Sequence, residues 1–402
     1  MEYEGLRKIF HISESEAAQE HQRRLAAKNT KELGLSIKDN ECFYCMDAEV
    51  YELIIKCERL DKRIREEIAL LPPIALHQYI TSTLIEEIVL TNEIEGVRSS
   101  RREIGDVLAN LEKNDKRRRF HGIVEKYNAL VGSSDIAIET CQDIRDIYDE
   151  LVREEVESQK PDSRLDGEYF RAGPVSVLNE ADIPIHQGIE PESKIIRYLE
   201  EALRILNDEA TELLVRISLF HFLFAYIHPF YDGNGRTNRF ISSYMMASRF
   251  SPLVGLKLSH AVKQHIKAYY KAFTICEHPL NKGDLTPFII LFSEIIVSAM
   301  EDIATTLKEK RAAMDDAERA MLLLSGIHDQ KDLPRIGGIL IQAALFSDIG
   351  ITMQELKDTT GLSEPTINKR LAYFEELGLS MKTKQGRRVH HQMDLGALKG
   401  LK

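Results

Sequence analysis

Hydrophobic positions recur at helical spacing over most of this chain. Residues 1 to about 50 are polar and helix-leaning with little apolar periodicity, and nothing in them points to a function. From Tyr51 to about Ala109 helix-spaced apolar residues appear, among them Leu53, Ile54, Cys57 and Leu60, with Pro72-Pro73 interrupting the pattern. Helical signals resume from Cys141 to Val156. A β-like run then covers Tyr169 to Val177 and a shorter one Ile183 to Ile185, with Asn179, Glu180 and Asp182 between them, which predicts a hairpin. After Pro191 the chain reads as helix through about Leu324. The end of the chain changes character: helices over Gly338–Phe346 and Met353–Thr359, a turn at Thr360-Gly361-Leu362, a helix over Pro365–Leu377 and a hairpin about Gln385-Gly386. That is the order of a winged helix-turn-helix. The expected fold is mainly α, in four segments: 1–50, 51–132, 133–332 and 333–402.

Composition narrows the classes. The 402 residues are 43% hydrophobic and 29% charged, with a net charge of −11, values ordinary for a chain that buries a core. A net acidic protein needs a local basic patch to meet nucleic acid. The first residues, Met1 to Arg7, lack the apolar centre of a signal peptide. The most apolar stretch, Ile217 to Ile227, carries Ser218 and His221 and falls well short of the ~20 residues a bilayer requires. A cytoplasmic protein with no membrane partner is therefore expected. Five cysteines do not make a disulfide framework, and Cys42 and Cys45 lack a second pair at zinc spacing, so they read as incidental thiols. The basic run Lys116 to Arg119 reads as a solvated connector.

The informative stretch is His228-Pro-Phe-Tyr-Asp-Gly-Asn-Gly-Arg-Thr-Asn-Arg239. A buried helix ends at Ile227 and Pro229 closes off its continuation. Gly233-Asn234-Gly235 then forms a tight loop before a new helix at about Arg236, so several N–H groups converge with a helix dipole behind them. That is a nest suited to phosphate. Arg236 and Arg239, three apart, can reach one anion. Asp232 offers a hard oxygen to Mg²⁺ bridging phosphates. His228 offers the usual general base near neutral pH. Together these residues point to phosphoryl or nucleotidyl transfer.

At these positions the sequence resembles the Fic (Fido) family, whose signature H-P-F-x-[D/E]-G-N-G-R-x-x-R is filled at every fixed position. The resemblance implies a Fic-type helical core and transfer of AMP from Mg-ATP to a protein hydroxyl of Ser, Thr or Tyr. In that family's terms His228 is the base, Phe230 anchors the loop and Asp232 holds Mg²⁺. Gly233, Asn234 and Gly235 cradle the phosphates, and Arg236 and Arg239 neutralise them. Asn281, opening Asn281 to Phe288, resembles the helix start lining the adenine pocket and would contact the base. Relatives resembling Doc carry Lys at the position of Gly235 and transfer the γ-phosphate, so the glycine favours adenylylation. The hairpin at 169–185 resembles the family's flap, whose strand edge could pair with a target segment. His221 reads as structural.

Upstream, Leu84, Ile88, Thr91 and Glu95 follow one another at steps of 4, 3 and 4, and Gly96 can end their helix. A carboxylate on that stripe needs a partner or a place at a rim. Thr91-Asn-Glu-Ile-Glu-Gly96 also resembles the [S/T]-x-x-x-E-[G/N] inhibitory helix found before many Fic cores. The resemblance implies that Glu95 pairs with Arg239 and blocks the γ-phosphate position within the same chain. In some relatives that Glu serves removal of AMP.

Residues 361–402 carry eight Lys or Arg against four Asp or Glu, opposite in sign to the whole chain. Ser363, Thr366, Asn368, Lys369 and Arg370 would open a recognition helix, and the Lys382–Arg388 hairpin could reach backbone phosphate. DNA contact through residues 361–390, protein docking or a homo-oligomer contact all fit such a module. Two functions follow: a self-inhibited protein adenylyltransferase whose targets include itself, or a DNA-binding regulator whose core senses nucleotide. Sensing would need neither His228 nor Asp232, which favours the first.

Overall fold

The computed structural model describes residues 3–111, 118–132, 135–178, 184–327, 332–385 and 388–400. Helices dominate, joined by three small antiparallel sheets, as expected of a mainly α chain. The chain divides into two compact units: Met1–Asp61 with Ile85–Glu301, and Lys62–Leu84 with Asp302–Lys402. No helix among the described residues is long and apolar enough to cross a membrane.

In the first unit, the helix Leu213–Ile227 lies at the centre. It is apolar on every side and almost all of it is buried, as a helix without a polar face must be. Glu192–Leu206 and Asn234–Arg249 pack beside it. Phe222 and its neighbours join Phe273, Phe288 and Phe292 in one aromatic cluster. His221 sits in this core with its ring nitrogens on Ser242 Oγ and Tyr269 OH, at 2.8 and 2.7 Å, and burial keeps it neutral. It is a packing residue, as its sequence position suggested.

The N-terminal segment departs from the expectation of polar helix. Two helices, Leu6–Ile12 and Glu14–Leu25, lead into a hairpin of Thr30–Ile37 and Asn40–Cys45. Its turn residues Lys38 and Asp39 both have positive φ, 45° and 66°, as a tight hairpin turn requires. Without glycine or asparagine at the turn, the usual signal is missing. Leu33, Leu35 and Ile37 do alternate into the core, but for too few residues to stand out. The second strand is completed from far along the chain: Phe43 N–H donates to Gly283 O and Leu285 N–H to Phe43 O. Beneath it Asp284, fully buried, accepts from Arg24 and from Tyr3 OH at 2.8 and 2.7 Å. Cys42 and Cys45 are buried thiols outside any disulfide, and burial pushes the Cys42 thiol up to about 12, in keeping with incidental thiols.

Two further segments differ from the expected pattern. The helix over 141–156 is broken: Cys141–Tyr148 passes into a wider π turn, Asp149–Arg153, before Glu154–Gln159. The β-like run at 169–177 is strand only over Ser176–Leu178, paired with Pro184–Gln187. Residues 168–170 cannot pair because their N–H groups donate to the Glu192 carboxylate, at 2.8 to 3.0 Å. The tip expected at Asn179 to Asp182 lies outside the described residues.

In the second unit the helices Leu333–Phe346, Met353–Thr360 and Glu364–Glu376 are followed by strands Ser380–Gln385 and Arg388–Met393, the turn between them lying outside the described residues. Thr352 caps Met353–Thr360 in a capping box with Glu355, and Gly361, at φ 66°, ends it. A short strand not read from the sequence, Ile351–Thr352, pairs with Arg388–Met393, which becomes the centre of a three-stranded sheet. The first of these helices begins earlier than the expected Gly338, because Pro334 fits its first turn.

Candidate active site

The turn after Leu213–Ile227 is built from contiguous residues. His228 ends the helix in the left-handed conformation, φ 52°, with its N–H donating to Phe224 O. Phe230 is fully buried and stacks on Tyr148 at 3.9 Å between ring centroids. Burial of that ring contributes about 1.5–3 kcal/mol and fixes the loop to the core. Asn234 closes the turn from inside: it accepts from Phe230 N–H at 2.9 Å and donates to Phe230 O at 2.8 Å. Gly233 has φ 81°, and a Cβ there would lie 2.9 Å from Val152. Only glycine meets both conditions.

His228 is partly buried. Its Nδ1 lies 3.4 Å from Ala225 O, so that nitrogen carries the proton and the Nε2 lone pair is left for chemistry. Burial, with His186 beside it, pushes the imidazole down to about 4; Arg171 acts in the same direction, and the Ala225 carbonyl and Glu95 oppose it. The ring is neutral near pH 7 and can accept a proton.

The two arginines do not converge on one empty point. Arg239, 2% exposed, donates from Nε to Thr91 Oγ1 at 2.8 Å, and from Nη2 to Thr91 O at 3.0 Å and Glu95 Oε1 at 2.9 Å. Despite its burial, the adjoining Glu95 carboxylate holds its charge firmly. Arg236 instead donates to Glu155 Oε2 at 2.6 Å, and its buried Nε has no hydrogen-bond partner among the described residues. Each of the two arginines expected to serve one anion is here paired with its own carboxylate. The Glu95 carboxylate also fills the nest, since a Cβ on Gly235 would lie 2.0 to 2.8 Å from its atoms. Glu95 sits just past the helix Pro73–Ile94, where Gly96, at φ 71°, turns the chain.

Asp232 accepts from Lys160 at 2.6 Å and from Gly233 N–H at 2.6 Å. Burial would raise its carboxyl, but Lys160, that N–H and Arg236 hold it below the usual carboxylate range. Asn281 stands apart from this group. It is fully buried, and its amide donates within its own turn to Asp284 O at 2.6 Å.

Comparison with known proteins follows the same stretch. The Fic/DOC family profile matches residues 139–246. The chain is 33% identical over 99 residues to protein adenylyltransferase fic-1 of Caenorhabditis elegans, covering 24% of this chain and 18% of that protein. Residues 139–246 are thus a Fic/DOC domain. A second relative of its Fic domain, protein adenylyltransferase Fic of Culex quinquefasciatus, is 33% identical over 88 residues, 21% of this chain and 16% of that protein. A Fic family protein of Desulfovibrio desulfuricans G20 superposes with a TM-score of 0.49 at 17% identity, over 87% of this chain and 97% of that one. The chain spans less than a fifth of the length of these two curated relatives.

The residues of the Fic domain can be tested against a metal. Among the described residues no three His, Cys, Asp or Glu side chains form a cluster able to hold an ion alone. One carboxylate beside a phosphate nest is instead the donor set for a Mg²⁺ that arrives on phosphate oxygens. Asp232 fits that role once Lys160, largely exposed, swings away.

Glu155, Lys160 and Arg171 were not read from the sequence as part of this site. Glu155 and Lys160 sit in an acidic-basic helix end with no distinctive spacing. Arg171 carried one faint signal, a lone cation inside an apolar run.

Proposed function

We propose that this protein transfers AMP from Mg-ATP to a protein hydroxyl and that Glu95 holds the reaction in check. What supports the reading is one arrangement: a neutral imidazole beside a glycine nest whose inner cation, Arg239, is taken by a carboxylate from the same chain. With Glu95 withdrawn, the N–H groups at the start of Asn234–Arg249 and the Arg239 guanidinium face the space a triphosphate would take. The target oxygen attacks the α-phosphorus as its proton passes to Nε2 of His228. The bond from the α-phosphorus to the bridging oxygen breaks, and pyrophosphate leaves with that oxygen. Mg²⁺, held by Asp232 and the phosphates, would supply further charge neutralisation.

The C-terminal elements fit a winged helix. Two of its cations are already paired, Lys382 with Glu375 and Arg370 with Asp332, which lowers the positive charge available for a nucleic-acid backbone. The observations therefore favour the enzyme over the regulator.

The test is mass spectrometry after incubation with Mg-ATP. An AMP adduct should form on the Glu95→Gly protein or an added acceptor, and be absent from Glu95→Gly/His228→Ala. Equal adduct on both proteins would remove His228 as the base.

A further inference from the structure

A single side chain ties both limbs of the flap hairpin to the catalytic turn. Arg171 is fully buried. Its Nε donates to His228 O at 2.8 Å and its Nη1 to Gly173 O at 2.6 Å. Its Nη2 donates to Ile189 O at 2.9 Å and, more weakly, to Ile227 O at 3.4 Å. Its own main-chain N–H donates to Pro229 O at 3.2 Å. Gly173 leads into the first hairpin strand, and Ile189 follows the second. Ile227, His228 and Pro229 are the catalytic turn itself.

Packing around the guanidinium leaves no slack. A Cβ on Gly188 would lie 2.4 Å from Arg171 Nη2 and 3.0 Å from His228 Cβ, so guanidinium, hairpin and turn are in direct contact. Tyr231 adds a second staple, accepting from Gly173 N–H at 2.9 Å while bonding to Asp166.

Among the described residues, every hydrogen-bond acceptor of this guanidinium is a main-chain carbonyl. A buried cation without a bonded counter-charge is an expensive way to hold a loop, and a neutral amide could satisfy some of the same carbonyls. What the cation adds is a fixed positive charge beneath an imidazole that must stay unprotonated, delivered through a rigid fork.

We infer that Arg171 is a positioning residue for the transfer reaction: it holds His228 in its left-handed turn and registers both limbs of the hairpin against it. A target segment paired along the hairpin edge and the base that takes its proton are then placed by one side chain. The inference rests on the reading of His228 as the base. The charged or titratable groups facing the His228 ring are His186 from the hairpin, Glu95 from beyond the Pro73–Ile94 helix, and Arg171 itself.

The test uses the full chain carrying Glu95→Gly, with Arg171→Gln, which removes the charge, and Arg171→Lys, which keeps it without the fork. Three quantities are read: the rate of AMP transfer, the dissociation constant of a non-hydrolysable ATP analogue, and the NMR titration of the His228 ring. Both variants should lose about 10²-fold in rate, the effect of small misplacement of a reacting group, with analogue binding within about twofold. The His228 midpoint should rise in Arg171→Gln and stay put in Arg171→Lys. A rate unchanged in either variant, or a loss of rate matched by loss of analogue binding, overturns the inference. Should Arg171→Gln not fold, Arg171→Lys decides by its rate and binding. If the parent transfers no AMP, the base reading fails separately, while an unmoved His228 midpoint in Arg171→Gln still overturns the role given to Arg171.

Discussion

Arg239 and Glu95, 144 residues apart, meet at 2.9 Å, with the Glu95 carboxylate lying against Gly235. Thr91, one helical turn before Glu95, takes two further bonds from the same guanidinium through its hydroxyl and its carbonyl. The carboxylate of Glu95 and both Thr91 acceptors thus come from a single helix end, so the guanidinium has three hydrogen bonds to that one segment.

That division predicts graded activation. Glu95→Gly should raise AMP transfer about 5- to 150-fold, the usual span of coupling between two sites. Thr91→Ala removes one charge-assisted hydrogen bond but leaves the Glu95 carboxylate in place, so it should raise transfer by a smaller factor than Glu95→Gly does. Labelled-AMP incorporation measures both. A larger gain from Thr91→Ala would mean that the threonine, not the carboxylate, is the block.

Gly235 tests the block sterically. An alanine Cβ would overlap the Glu95 carboxylate, which is the movable end of a flexible side chain. Gly235→Ala should therefore bind ATP more tightly than wild type, by about threefold or more by calorimetry, a gain of ~0.7 kcal/mol. Weaker binding would show that the added methyl obstructs the phosphates.

Glu155→Ala leaves Arg236 buried without its counter-charge. Breaking a buried pair from one side costs about 3–5 kcal/mol, and chemical denaturation should show a loss of that order. A loss under ~1 kcal/mol would mean that Arg119, 3.6 Å from Glu155, belongs to a looser and wetter network.

The rate should follow His228 with pH. Because burial holds the imidazole near 4, it stays unprotonated down to that range, so the acid limb should lie near pH 4 to 5 and not near 6.5. The rate of Glu95→Gly measured from pH 4 to 8 checks this. An acid limb at 6.5 would place the working base elsewhere.

Glu87, on the same helix as Thr91, is fully buried and accepts from the N–H and hydroxyl of Ser259. Burial raises its carboxyl to about 7 from an ordinary 4.5, against the opposing bonds from Ser259. Folding therefore takes up a proton between those values. Its contribution to stability is present below about pH 4.5 and is lost as pH rises through 7, by on the order of 3 kcal/mol. Glu87→Gln should flatten that slope in denaturation curves; an unchanged slope assigns it to another group.

The contiguous turn was legible without coordinates. His228 beside Pro229, glycines flanking Asn234 and a helix start at once afterwards define their own backbone, because turn conformation and helix dipole are local properties. Helical spacing likewise aligned Glu95 with the buried stripe of the helix it follows, and the mainly α architecture followed from the same periodicity. What only the tertiary structure decided is which charges meet. Glu155 reaches Arg236 across 81 residues, Lys160 reaches Asp232 across 72, and Arg171 reaches the His228 carbonyl across 57. The strand Asn40–Cys45 is finished by Gly283 and Leu285, and its turn at Lys38-Asp39 lacks the usual residues. No periodicity records such pairs: a charge finds its partner through the packing of helices far apart in the chain, and that packing is fixed by the whole core at once.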